Sequence, residues 1–332
     1  MELDELARLR LCTLPTPLME APTLSKALGG PRILIKRDDL TGLAMGGNKS
    51  RPMEFIMTEA MQKRADVLVA AGYQGSNWVS NLVAAARKTS MDVVLFLLKG
   101  DRKMQGNLLL YKLLGAEIRF TDLDIHERAA MYEQMDRMAE GLRKKGRRPY
   151  VMYYEPVGPL GIAGYVILAR EIFAQLKEQG ITAQYLFHTS GSGSTQAGLI
   201  VGAKHFQIPL KVIGVMPNHR DTKEVRIRRI TDNANKTAEF LDMPVQFDCD
   251  EIGYDETYAG DTYSGPTKKG MDAIKLVAGT EGIFLDPIYS AKSMACLIDH
   301  VREGRIGKKD TVIYYHSGGI PLIFSYSEEL ST

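Results

Sequence analysis

The chain has 332 residues, 45% of them hydrophobic and 25% charged, with a net charge of +2. That length exceeds what one small core can hold and points to about two domains, and the near-neutral balance excludes the basic footprint of a nucleic-acid binder. Three widely spaced cysteines, Cys12, Cys249 and Cys296, exclude a disulfide framework or a Cys-based zinc site and lead us to expect no metal.

The first segment, MELDELARLRLC, carries acids and arginines where an export signal needs an apolar stretch. The most apolar short run, VVLFLL at 93–98, is well below a membrane span, so a cytoplasmic chain is expected. Strands are predicted at 32–38, 66–72, 92–98, 117–122, 184–190, 211–216 and 311–316. Helical patterns fall between them, including 51–64, 106–115, 161–180 and 194–206. Apolar strands alternating with helices predict an α/β fold with mostly parallel sheets. The charged run at 126–148 reads as a solvated helix without a function. No period of 20–50 residues repeats, which excludes a solenoid.

Two stretches carry chemistry. In LFHTSGSGSTQAG a strand gives way to Ser190, Gly191, Ser192, Gly193, Ser194 and Thr195, which open a helix. Glycines let amides converge, hydroxyls add donors, and the helix start adds partial positive charge, so the loop reads as a phosphate cup. It is neither G-x-G-x-x-G nor a lysine-bearing P-loop, which leaves a nucleotide unsupported. The second stretch, AMGGNKSRPMEF (44–55), brings two glycines and Asn48 to a single lysine, Lys49, at the mouth of a helix. Alone, Lys49 reads as a surface lysine. Paired with a phosphate cup, it suits pyridoxal phosphate, which needs a lysine for its Schiff base and a cup for its phosphate.

The sequence resembles the family of 1-aminocyclopropane-1-carboxylate deaminase and D-cysteine desulfhydrase. LPTPL (14–18), IKRDDLTGLAMGGNKSR (35–51), TSGSGSTQAG (189–198), TYSGPT (262–267), EGIFLDPIYSAKSM (281–294) and HSGGIP (316–321) match family segments in order. The resemblance implies a tryptophan-synthase-β-like fold (fold type II) with two open, mostly parallel twisted sheets flanked by helices. Residues 52–160 would form a small α/β domain, and 1–51 with 161–332 a large one holding the cofactor. It also implies a homodimer with a small amino-acid substrate, and no nucleic-acid or membrane partner.

By the same resemblance Lys49 carries pyridoxal 5'-phosphate, Asn48 bonds its ring hydroxyl, and the adjacent glycines make room for the ring. Gly191, Ser192, Gly193, Ser194 and Thr195 would hold the phosphate. Ser76 and Asn77 would hold the substrate carboxylate, and Tyr263 and Tyr289 would approach the substrate and leaving group. Ser290 and Ser317 would stand near the ring nitrogen, where the desulfhydrase branch has hydroxyls and the deaminase branch Glu and Leu. Hydroxyls at both positions favour α,β-elimination from a β-substituted amino acid, giving pyruvate and ammonia. 1-Aminocyclopropane-1-carboxylate deaminase, an L-cysteate sulfo-lyase and a cofactor-binding protein without turnover stay as alternatives. The chain departs from the family at Gly75 and Trp78, at a shortened EPVGPLGIAGY (155–165), and at Ser194. Trp78 either lines the pocket or packs within its helix.

Overall fold

The computed structural model describes residues 2–124, 126–153, 157–260 and 265–331. In chain order the elements are β1 (Leu18–Glu20), α1 (Pro22–Ala27), β2 (Arg32–Arg37), α2 (Ser50–Gln62), β3 (Val67–Gly72), α3 (Asn77–Lys88), β4 (Asp92–Leu97) and α4 (Gly106–Leu113). Then come β5 (Glu117–Phe120), α5 (Arg128–Lys144), β6 (Pro149–Met152), α6 (Pro159–Glu178), β7 (Tyr185–Thr189), α7 (Ser194–His205), β8 (Lys211–Val215) and α8 (Lys223–Phe240). β9 (Gly253–Asp255), α9 (Lys268–Glu281), α10 (Ser290–Arg302), β10 (Thr311–His316) and α11 (Ser327–Ser331) complete it.

The strands form two sheets, ordered β1-β2-β10-β7-β8-β9 and β5-β4-β3-β6. Among the described residues, only the β1–β2 pairing is antiparallel. All six residues of β3, VLVAAG, are buried, as a parallel strand covered on both faces requires. All four strands of the second sheet fall within residues 52–160.

All seven predicted strands are present, within two residues of the expected bounds. β1, β6 and β9 are additional; at three or four residues each they are too short to show a period. α6 starts two residues before the predicted helix, because Pro159 supplies a pre-set first turn. α6 has the length and apolarity of a membrane span. Here it is a core helix: Ile162, Val166 and Leu168 are fully buried.

A buried ionic cluster fixes the start of α2. The Arg51 guanidinium donates to both Asp38 oxygens, at 2.6 and 2.7 Å, and to Glu171 on α6 at 3.1 Å. Tyr315 on β10 donates to Asp38 at 2.5 Å, and Lys36 on β2 pairs with Glu171. Arg51 holds Asp38 below its ordinary pKa against the opposing effect of burial, so the pair stays charged. Arg51 lies two residues after Lys49, so this cluster sets where Lys49 stands.

Candidate active site

A cavity of about 380 Å³ opens beyond the carboxyl ends of several strands. Ser76, Asn77 and Trp78 follow β3; Thr189, Gly191 and Ser192 end or follow β7. Pro217 and Asn218 follow β8, and Ser317 and Gly318 follow β10. Ligand sites of open α/β sheets occupy this end of the strands.

Lys49 lines this cavity at the N-cap of α2. Burial lowers its pKa to about 8, while the part of its surface that opens on the cavity keeps it in reach of water. Two other buried lysines are engaged. Lys36 donates to Thr16 O at 2.6 Å and to Gln175 at 2.8 Å, besides its pair with Glu171. Lys292 donates to the carbonyls of Pro217 and Ala259, each at 2.7 Å. The Lys49 amine has no hydrogen-bond partner among the described residues, and it alone of the three lines the cavity.

Asn48 ties three predicted site residues together. Its amide N–H donates to Ser317 O at 2.9 Å, and its side chain donates to Thr195 Oγ1 at 3.0 Å. Gly47, before it, has a role in the fold as well. A Cβ on Gly47 would lie 3.2 Å from Ser317 O, and one on Gly318 only 2.5 Å from Gly47 Cα. The loops before α2 and after β10 therefore touch backbone to backbone, and the glycines make room for each other's chain.

In the β7–α7 loop, Gly193 is the N-cap of α7 with φ +88°, and no side chain caps the helix. A Cβ there would meet Ile230 Cγ1 at 2.7 Å as well as straining the backbone. Among the described residues, the amides of residues 191–196 donate to no protein acceptor, so they stay available to an anion. Gly191 and Ser192 line the cavity; Gly193, Ser194 and Thr195 lie just behind it at the helix start.

The β3–α3 turn is built otherwise. Ser76 is the N-cap of α3, and its hydroxyl accepts from Val79 N at 3.3 Å. Tyr111 donates to Ser76 O at 2.7 Å, and Asn107 donates to Asn77 Oδ1 at 2.8 Å. Trp78 borders the cavity and also packs on the apolar cluster of the second sheet, so both readings of it hold.

Tyr289 lines the cavity, and its carbonyl accepts from Thr189 Oγ1 at 2.8 Å. Ser290 does not line it. Its hydroxyl donates to Asp286 Oδ2 at 2.6 Å and accepts from Asp286 N at 2.7 Å, all in the interior. The expected hydroxyl at the ring nitrogen is thus engaged by a buried carboxylate. Burial raises the Asp286 pKa against the amides and hydroxyl that bond it. Ser317 does border the cavity. Tyr263 lies outside the described residues.

Several wall residues carried no sequence signal. Arg128, Arg220, Arg226 and Arg229 all line the cavity. Arg128 opens α5, so the charged run at 126–148 is not solely a solvated face. Arg226 is buried; it donates to Gly191 O at 2.6 Å and to Asn218 at 2.8 and 2.9 Å. His188, at the end of β7, is pushed down to about 3 by burial, with the Lys49 charge adding to the effect, so it stays neutral. Elsewhere Asp255, Cys296 and His300 cluster as a metal site would. The Arg305 guanidinium lies 2.7 Å from His300 Nε2 and takes the nitrogen a cation would need.

A family model described as pyridoxal-phosphate dependent enzyme matches residues 9–318. A D-cysteine desulfhydrase from Klebsiella pneumoniae is 35% identical over 99% of this chain and 98% of its own. A 1-aminocyclopropane-1-carboxylate deaminase from Burkholderia ambifaria is also 35% identical, over 99% of this chain and 98% of its own. The crystal structure of an ACC deaminase homologue, 31% identical, superposes with a TM-score of 0.88 over 99% of this chain and 97% of its own. Matched nearly end to end in sequence and in structure, with a buried lysine and a glycine loop lining one cavity, the chain belongs to the pyridoxal-phosphate dependent enzymes, in the lyase family that includes D-cysteine desulfhydrase and 1-aminocyclopropane-1-carboxylate deaminase.

Proposed function

We propose that this enzyme is a carbon–sulfur lyase of the D-cysteine desulfhydrase kind, releasing the β-substituent of a small amino acid and yielding pyruvate and ammonia. Its cofactor is pyridoxal 5'-phosphate. The cavity fits that group on observations of its own: the unpartnered Lys49 amine, the open amides of residues 191–196, and Asn48 between them. Lys49 would hold the aldehyde carbon, residues 191–195 the phosphate, and Asn48 the ring. When bound, the cofactor withdraws electrons from the substrate Cα and acidifies its hydrogen.

The protein's own groups do the rest. With a pKa near 8, the freed Lys49 amine is about a tenth neutral at pH 7, against well under a thousandth for an ordinary lysine. That makes Lys49 a base able to take the Cα proton. The amides of Asn77 and Trp78 at the start of α3 fit the substrate carboxylate. Tyr289 stands at the wall, where its phenol can donate to a departing group. His188, held neutral beside Lys49, adds no charge that would oppose a proton gained there. In the same reading, residues 52–160 form a small domain, and the assembly is a cytoplasmic homodimer.

The observation that carries the reading is Lys49, the buried lysine that lines the cavity and whose amine has no hydrogen-bond partner among the described residues. The test is 2-oxo acid release from a panel of β-substituted D- and L-amino acids and from 1-aminocyclopropane-1-carboxylate. Pyruvate from a β-substituted substrate is expected. Release of 2-oxobutyrate at a matching rate would move the enzyme to the deaminase branch, and no 2-oxo acid from any substrate would remove the catalytic reading.

A further inference from the structure

We infer that Arg226 and Tyr254 clamp the outer face of the β7–α7 loop and aim the amides of Gly191 and Ser192 at the cofactor phosphate. Both are positioning residues. The inference rests on the reading above that seats the phosphate at the α7 start, and deepens it.

A helix start alone does not make this cup. The amides of residues 194–196 belong to the first turn of α7 and are oriented by the helix itself. Those of Gly191 and Ser192 lie before the Gly193 N-cap, where no helix orients them. The sheet does not orient them either, because the β7–β8 pairing runs out at Ser190, whose amide donates to Val215 O at 2.9 Å.

Two side chains supply the missing constraint. Tyr254 on β9 donates its phenolic hydrogen to Ser190 O at 2.7 Å. Arg226, near the start of α8, donates to Gly191 O at 2.6 Å. In a trans peptide the carbonyl and the following amide hydrogen point in opposite directions. Holding the carbonyls of residues 190 and 191 from the β9 and α8 side turns the amides of Gly191 and Ser192 the other way. Neither amide has an acceptor among the described residues, and both residues line the cavity.

The clamp is braced and charged. Arg226 also donates to Asn218 O and Oδ1, at 2.9 and 2.8 Å, which fixes its fork. Ile230, one turn further along α8, stands where a Cβ on Gly193 would meet it at 2.7 Å, so the same helix touches the loop twice. Burial pushes the Tyr254 phenol up to about 12 against the opposing charge of Arg226, so it stays a donor. Residues 190–195 are all uncharged, whereas a phosphate ester brings about −2. The Arg226 bond to Gly191 O brings positive charge to the loop and polarises the peptide, which strengthens the Ser192 amide as a donor.

The experiment titrates full-length apoprotein with pyridoxal 5'-phosphate and with pyridoxal, which lacks the phosphate, and takes the ratio of the two affinities. In Arg226→Gln the ratio should fall about tenfold or more, and in Tyr254→Phe roughly threefold, with pyridoxal affinity unchanged. Arg226→Lys keeps a charged donor and should recover part of the loss. An equal loss for both compounds would leave the pair a purely structural role and overturn the inference. Gly193→Asp, placed in the cup itself, separates the two readings. If it lowers the ratio while Arg226→Gln and Tyr254→Phe do not, the clamp is overturned and the phosphate seat stands. If it leaves the ratio unchanged, the phosphate sits elsewhere and both readings fall. Should melting curves show Arg226→Gln unfolded, Tyr254→Phe decides by the same ratio.

Discussion

The β3–α3 and β7–α7 turns pose the same problem and solve it differently. Each runs from a buried parallel strand past the cavity wall into a helix. At α3, Ser76 caps its own helix by accepting from Val79 N, so one amide of the first turn is already taken. At α7 the cap is Gly193 in the left-handed region, with no side-chain acceptor, and the amides of residues 191–196 have no acceptor among the described residues. A self-capped helix is more stable alone but offers fewer donors; an uncapped one gives up some of its own stability to its ligand. The first suits a substrate that must leave, and the second a phosphate that must stay.

Lys49 lies between the two turns, so its loss should separate turnover from both. Lys49→Ala should lower 2-oxo acid release on the order of a thousandfold or more, while the holoprotein still binds cofactor through the α7 start. Borohydride reduction of the native holoenzyme and peptide mapping should place the adduct on Lys49; an adduct on Lys36 or Lys292 would overturn the assignment. The same amine gives a pH signature. Its folded pKa, about 8, lies below the ordinary 10.5, so the apoprotein is penalised below about pH 8, and the penalty fades as pH rises toward 10.5. The melting-temperature gap between Lys49→Met and native apoproteins should therefore narrow from pH 7 to pH 10. A constant gap would mean an unshifted lysine.

Gly193→Asp attacks the α7 turn alone. It adds a Cβ where Ile230 stands at 2.7 Å and a carboxylate against the phosphate. Cofactor affinity should fall roughly a hundredfold or more, read by titrating apoprotein with cofactor. Ser76→Ala attacks the α3 turn alone. Losing the cap costs about 1 kcal/mol of stability and loosens the turn, so KM should rise with cofactor affinity unchanged. If Ser76→Ala sheds cofactor, or Gly193→Asp raises only KM, the two turns have been assigned the wrong anions.

How far the sequence could lead follows from the same contrast. The α7 cup was legible because glycine–hydroxyl alternation at a strand end has few other uses, and the seven longer strands because buried parallel strands are continuous apolar runs. The arginines were not legible: Arg128 sits in a strongly charged run, and Arg220, Arg226 and Arg229 lie more than 25 residues past the glycine loop with which they share the cavity wall. Ser290 misled because its neighbour in space, Asp286, stands one helical turn earlier in sequence and engages the hydroxyl. The closeness of Gly47 to the β10 loop was not legible either, since only the fold brings Ser317 and Gly318 against it.

Trp78 offers the smallest and most discriminating change, because it belongs to both the cavity wall and the core. Its ring borders the cavity while packing on the cluster that includes Val79, Leu82 and Leu108. An indole covers a large apolar area and offers a single N–H donor, so it shapes the wall without neutralising an anion. Trp78→His should therefore act twice. Lost packing should cost about 1–2 kcal/mol, seen as a lower melting temperature with cofactor retained. The reshaped wall should alter the ranking of β-substituted substrates by a few-fold, with larger neutral side chains gaining most. The α3 amides are backbone groups and stay in place, so the carboxylate keeps its seat and the effect should fall on side-chain selectivity. A destabilised protein with an unaltered ranking would confine Trp78 to packing, and the α3 turn would then hold the carboxylate without reading the side chain beside it.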